Sequence, residues 1–162
     1  MNWAKPIPSP MKFFLLAGFL TIPFLACASG KEPPIPSAMS ASIGGFFGGS
    51  YRVALKGSDL HYFSRKHGKM METVVTPTAK QWEEFRSALD EIGIWTWRKH
   101  YDSPALDGTQ WSVSIAYKGK QVESTGSNKY PGRGSVSPSG YTPEFQKYLS
   151  AVQRLVGGKD FR

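Results

Sequence analysis

The sequence predicts an α+β fold: an antiparallel sheet of about five or six strands with two amphipathic helices packed on one face. Three observations predict it. Period-two alternation runs through Tyr51, Val53 and Leu55 and again through Trp111, Val113, Ile115 and Tyr117. Two Thr-Pro pairs, Thr76-Pro77 and Thr142-Pro143, each open a stretch with apolar residues at spacings of three and four. Gly93 and Gly157 then stand where those helices should end.

The elements follow in order. Residues 50–56 and 59–65 flank a turn in LKGSDL and form an antiparallel pair, and Lys66-His67-Gly68-Lys69 turns the chain into a third β-prone run, Met70 to Val75. Thr76 is expected to cap the first helix, with Pro77 at its first position. Trp82, Phe85, Leu89 and Ile92 share one face of that helix, and Glu83, Glu84, Arg86, Asp90 and Glu91 lie outside it. The segment IWTWRKHY, residues 94–101, alternates again and reads as a strand. Lys118-Gly119 closes a hairpin in which opposing residue numbers sum to about 238. That register sets Gln110 opposite Asn128 and Asp107 near Pro131. Phe145, Tyr148, Leu149, Val152, Leu155 and Val156 make the buried stripe of the second helix.

The folded domain is expected over 44–162, from the Gly-rich IGGFFGGSY onward, behind a Pro/Ser/Ala-rich tether at 28–43. Residues 1–27 read as a signal peptide: Lys12, an apolar run from Phe13 to Ala26 interrupted by Gly18, Thr21 and Pro23, then small residues. A membrane-spanning helix needs roughly 20 apolar residues, and this run is shorter and holds a proline. Translation starting at Met11 would fit the same layout. Phe24-Leu25-Ala26-Cys27 resembles a bacterial lipoprotein box, so Cys27, the only cysteine, is expected to carry lipid and anchor the protein to a membrane. Cleavage after Ala28, giving a secreted soluble chain that begins at Ser29, is the alternative. The expected location is the outer membrane or periplasmic side of the envelope.

The net charge is +8, with 20 Lys+Arg against 12 Asp+Glu. Removing Lys5 and Lys12 with the signal leaves 18 basic side chains against the same 12, or +6. The cations are scattered rather than run together, which fits a solvated surface, and export makes nucleic acid the least fitting anionic partner.

Density of chemistry is highest between residues 95 and 131. If the second hairpin closes as expected, DGTQW (107–111) and GSNKYP (126–131) meet at its open end. Asp107, Asn128, Tyr130 and Trp111, with Trp95, Trp97 and Arg98 nearby, are then able to grip an envelope protein or a glycan, rings supplying area and polar groups orientation. The competing reading is structural: Asp107-Gly108 turns the chain, Asn128 bonds backbone, and Tyr130 packs over Trp111. A third reading makes the domain a purely structural or inhibitory module whose flat sheet face is the working surface, with exposed aromatic residues on the sheet rather than at the loop end.

The order of helix, Ile92-Gly93-x-Trp95-x-Trp97, Tyr101, DGTQW, GSNKYP and closing helix resembles an uncharacterised group of bacterial exported and lipoprotein domains, over about Ile92 to Val156. The resemblance implies an exported α+β domain and carries no activity.

Catalytic and cofactor signals are sparse. His61, His67 and His100 have no metal-ligand spacing, no G-x-S-x-G elbow occurs, and neither glycine-rich stretch joins a strand to a helix as a phosphate loop does. No cofactor is expected. The expected function is a non-enzymatic binding module in the cell envelope, tethered to the membrane. The alternative is an envelope hydrolase or transferase using Asp107 with a histidine, His100 being the nearest in sequence.

Overall fold

The computed structural model describes residues 35–45, 48–103, 108–133 and 140–162, with Met1, and its helices and strands all belong to a compact unit from Glu32 to Arg162. The expected signal segment with Cys27, most of the expected tether before Ile35, Phe46-Phe47 and Asp107 lie outside the described residues. The elements are β1 (Ala38–Gly45), β2 (Ser50–Lys56), β3 (Asp59–Lys66), β4 (Lys69–Val75), α1 (Ala79–Glu91), a 3-10 turn (Ile94–Thr96), β5 (His100–Asp102), β6 (Thr109–Tyr117), β7 (Lys120–Ser127) and α2 (Pro143–Leu155).

The fold is α+β, with one sheet of seven strands where five or six are expected, in the order β4-β3-β2-β1-β6-β7-β5. Every neighbouring pair is antiparallel except β5 beside β7. The additional central strand is β1, and six of its residues, 38–43, fall within the expected tether. Met39, Ala41 and Ile43 are buried while Ser40 and Ser42 face the other way, a period of two written in small side chains. The domain therefore begins at least six residues before the expected boundary.

Local chemistry explains most elements. His67 and Gly68, both at positive φ (49° and 75°), make the two-residue turn between β3 and β4, a backbone shape that follows the strand twist. The cap of α1 is Thr78, two residues beyond the expected Thr76: its hydroxyl accepts from the Gln81 amide while the Gln81 side chain accepts from the Thr78 amide. Thr76 instead donates to Asp59 Oδ1 at 2.6 Å and joins the β4 exit to the start of β3. IWTWRKHY is not one strand. Gly93 (φ 62°) ends α1, a 3-10 turn drops Ile94 into the core, and only His100–Asp102 pair with β7.

By register, the buried strand residues Tyr51, Val53, Ile43, Ala41, Trp111, Val113, Ile115 and Val122 share one side of the sheet. They form one core with Trp82, Phe85 and Leu89 of α1 and Phe145, Tyr148, Leu149, Val152 and Leu155 of α2. The chain end adds Phe161, wholly buried, while Tyr62 donates to the Asp160 carbonyl at 2.7 Å.

Thr142 caps α2 as expected, and it also crosses to the loop after β7: Oγ1 accepts from the Phe145 amide at 3.3 Å and donates to the Pro131 carbonyl. Thr142→Ala is expected to lower stability by about 1–2 kcal/mol, read as a fall in the urea midpoint at unchanged slope.

Candidate functional site

The open end of the β6–β7 hairpin brings Gly108–Trp111 and GSNKYP together, in a register one residue from the expected one. Tyr117 faces Lys120, so opposing numbers sum to 237, Gln110 faces Ser127, and Trp111 faces Gly126. Asn128, left-handed at φ 53°, accepts from the Thr109 amide at 2.8 Å through its side chain and donates its own amide to the Thr109 carbonyl at 3.0 Å. Its carboxamide lies where a Cβ on Gly108 would stand, 1.7 Å from Asn128 Oδ1, so the glycine of one motif is shaped to the asparagine of the other. The Trp111 indole N–H donates to the Lys129 carbonyl at 2.9 Å. Every one of these bonds closes the hairpin on itself.

The indoles do not face solvent together. Trp111 is buried, and Phe145 touches its ring at a centroid distance of 4.9 Å. Trp97, half-buried, packs between Trp111, Phe145 and Tyr148 at 6.1, 6.2 and 5.6 Å. Tyr130 lies 4.7 Å from Phe145 and 4.8 Å from Tyr141, and burial pushes its hydroxyl pKa up against a hydrogen bond with Thr109. Arg98 is exposed, with its guanidinium over the Tyr101 ring, its amide bonded to the Tyr101 hydroxyl, and its carbonyl accepting from Ser124. These contacts leave Trp111, Trp97 and Tyr130 as a roof over α2.

Trp95 stands apart from that cluster. Its N–H donates to Asp90 at 2.5 Å, its ring meets Tyr117 edge-on, and the Arg86 guanidinium lies over both rings. Asp90 also receives Arg86 and Lys120 at 3.1 and 3.2 Å, tying α1 to the tip of β6–β7. Partial burial pushes the Asp90 carboxyl up, but the bonds from Trp95, Lys120 and Arg86 together hold it below its ordinary value of 3.8. A depressed carboxyl stabilises the fold above its ordinary pKa and loses that contribution as pH falls through the lowered one. Asp90→Asn is therefore expected to cost under about 1 kcal/mol at pH 7 and to flatten the loss of stability on acidification below pH 3.8, in paired urea titrations.

Among the described residues, no helix packs on the opposite side of the sheet. Two rows of side chains cross it by register. One runs Phe63, Arg52, Ser42, Ser112, Thr125, and the next runs Met70, Arg65, Ser50, Gly44, Gln110, Ser127, Asp102. Together they line an open hollow of about 760 Å³. Its floor is small: Ser42 and Ser112 hydrogen-bond each other at 2.7 Å, and Gly44 offers only backbone. The sequence reading of individual residues did not select this surface. Its signal is the polar half of each alternation, once β1 is recognised as the strand that joins the two hairpins.

His100 lies at the far end of the first row, opposite Thr125, with Nδ1 3.1 Å from Thr125 Oγ1. Among the described residues no three His, Cys, Asp or Glu side chains gather where they would hold a metal ion. A scan of the chain against protein-family models gives no match, and a search among curated proteins gives none.

Proposed function

We propose that the chain is an exported, lipid-anchored envelope protein whose domain is a non-enzymatic binding module, and that its ligand, an envelope protein or a glycan, lies on the open face of the sheet. The hollow of about 760 Å³ carries this reading. Its size is that of a ligand site, and the two rows of side chains that face it, from Phe63 and Met70 to Thr125 and Asp102, are not among the buried core residues. The expected surface of Trp95, Trp97 and Trp111 supports the fold instead, because those rings are spent on Phe145, Tyr148, Tyr117 and Asp90. A cluster that closes its own hydrogen bonds has little left to offer a ligand.

Two measurements test the reading. Cys27→Ser is expected to move the protein from the membrane to the soluble fraction, and a variant that remains membrane-bound would remove the anchor. For the face, Ser112→Tyr sets a ring over the floor between β1 and β7 without entering the core. The folded full chain is expected to bind soluble envelope-glycan fragments, measured by calorimetry, and S112Y to lose that binding. Unchanged binding by S112Y would place the site elsewhere.

A further inference from the structure

The hollow is electrically lopsided. Arg52 and Arg65 stand at its β2–β3 end, while Asp102 stands at the β5 end, five strand spacings from Arg65, roughly 24 Å across a sheet of ordinary spacing. Arg52 lies opposite Phe63, two residues from Arg65 on the same strand face, so the arginines are diagonal neighbours about 7–8 Å apart at their roots. Two forks at that separation are able to converge on one anion. Among the described residues neither makes an ion pair, and Glu72, opposite Phe63 on the same face, is bonded to His61. Phe63, half-buried, presents a ring beside them.

The rest of the floor narrows the class of ligand. The facing backbone groups of β2, β1, β6 and β7 are consumed by the sheet ladder, so an extended peptide cannot add itself here as a strand. Recognition has to run through side chains, and those available are short alcohols and an amide: Ser42, Ser112, Thr125, Ser127 and Gln110. Each both donates and accepts, which suits a ligand dense in hydroxyls.

Building on the reading above, which places the ligand on this face, we propose that it is a carboxylate-bearing saccharide, its carboxylate held by Arg52 and Arg65, a sugar ring against Phe63, and its hydroxyls on the serine, threonine and glutamine floor. Asp102 bounds the site at the other end, where its carboxylate accepts from ligand hydroxyls.

The test titrates the folded full chain with oligogalacturonate, with a neutral oligosaccharide of equal length, and with hexaglutamate. Oligogalacturonate is expected to bind, to weaken with added salt, and to lose at least about ten-fold in affinity with Arg52→Gln or Arg65→Gln, as hydrogen bonds to charged groups do. S112Y is expected to abolish the binding. If the neutral saccharide binds equally, R52Q and R65Q leave it unchanged, and S112Y abolishes it, the acidic class is wrong while the open-face reading stands. Hexaglutamate binding as tightly as the saccharide overturns the choice of a sugar. No binding of oligogalacturonate overturns the inference, and binding that S112Y leaves intact overturns the inference and the open-face site together.

Discussion

Gly126→Ala is expected to lower the stability of the domain by about 3 kcal/mol, the largest effect of any single methyl group we anticipate. The added Cβ would lie 2.5 Å from the Trp111 indole nitrogen, 2.6 Å from its neighbouring ring carbon and 2.6 Å from the Tyr101 carbonyl oxygen. Two of those atoms belong to a ring held by Phe145 and by the Lys129 carbonyl, and the third is backbone in β5, so nothing flexible is available to yield. Relief has to come either from turning the indole, which breaks its hydrogen bond, or from pushing β5 off β7, where only three residues pair. Urea unfolding with Ser127→Ala as control separates this from a general sensitivity of the strand, since Ser127 points to the open face. Gly126→Ala within 0.5 kcal/mol of the parent would contradict the register of β6 and β7. A double-mutant cycle with Trp111→Leu is expected to recover part of the loss, because the indole supplies part of the clash and the Tyr101 carbonyl the remainder.

That register also marks the limit of what the residues alone disclose. Lys118-Gly119 is legible as a hairpin turn, and the meeting of DGTQW with GSNKYP follows from it. The pairing sum is 237 and not 238 because the loop holds two residues, and an odd sum puts Trp111 over a glycine instead of a serine. The helix stripes were readable because Trp82, Phe85 and Leu89, and likewise Phe145, Tyr148, Leu149, Val152 and Leu155, are large side chains at helical spacing. Strand β1 was not, and the reason is physical. AMSASIGG has the low β-propensity of a linker because its residues are small on both faces: Ala41 lies under the helices, and Ser42 on the open face meets Ser112 at 2.7 Å. Once that strand is read as tether, Arg52 on one hairpin and Thr125 on the other have no reason to share a surface, so the hollow disappears with it. Aromatic density between residues 95 and 130 marks the helix-covered side of the sheet, and the sequence alone does not separate a packing role from a binding one. Rings that pack a core and rings that hold a ligand alternate alike along a strand.

Phe145→Ala is expected to cost about 3–5 kcal/mol, and its optical signature decides what the aromatic cluster is for. Phe145 is wholly buried and stands within 4.7–6.2 Å, centroid to centroid, of Trp97, Trp111, Tyr130, Tyr141 and Tyr148. Truncation would open a cavity beneath the roof of β6 and the loop after β7. The first turn of α2 would then lose the packing that complements its Thr142 cap. Tryptophan emission of the native state is expected to shift to the red, as Trp97 and Trp111 gain water, and the Thr142→Ala penalty to shrink in this background, because cap and ring hold the same turn. Phe145→Leu, which keeps most of the volume, is expected to recover more than half of the loss. Were Trp97, Trp111 and Tyr130 a ligand platform with little structural duty, Phe145→Ala would still loosen α2, but emission from Trp97 and Trp111 would already be that of exposed indoles in the parent and would barely move. If a saccharide occupies the hollow as proposed, then at temperatures where Phe145→Leu remains folded its affinity is expected to equal that of the parent, since the sheet lies between the two sets of side chains.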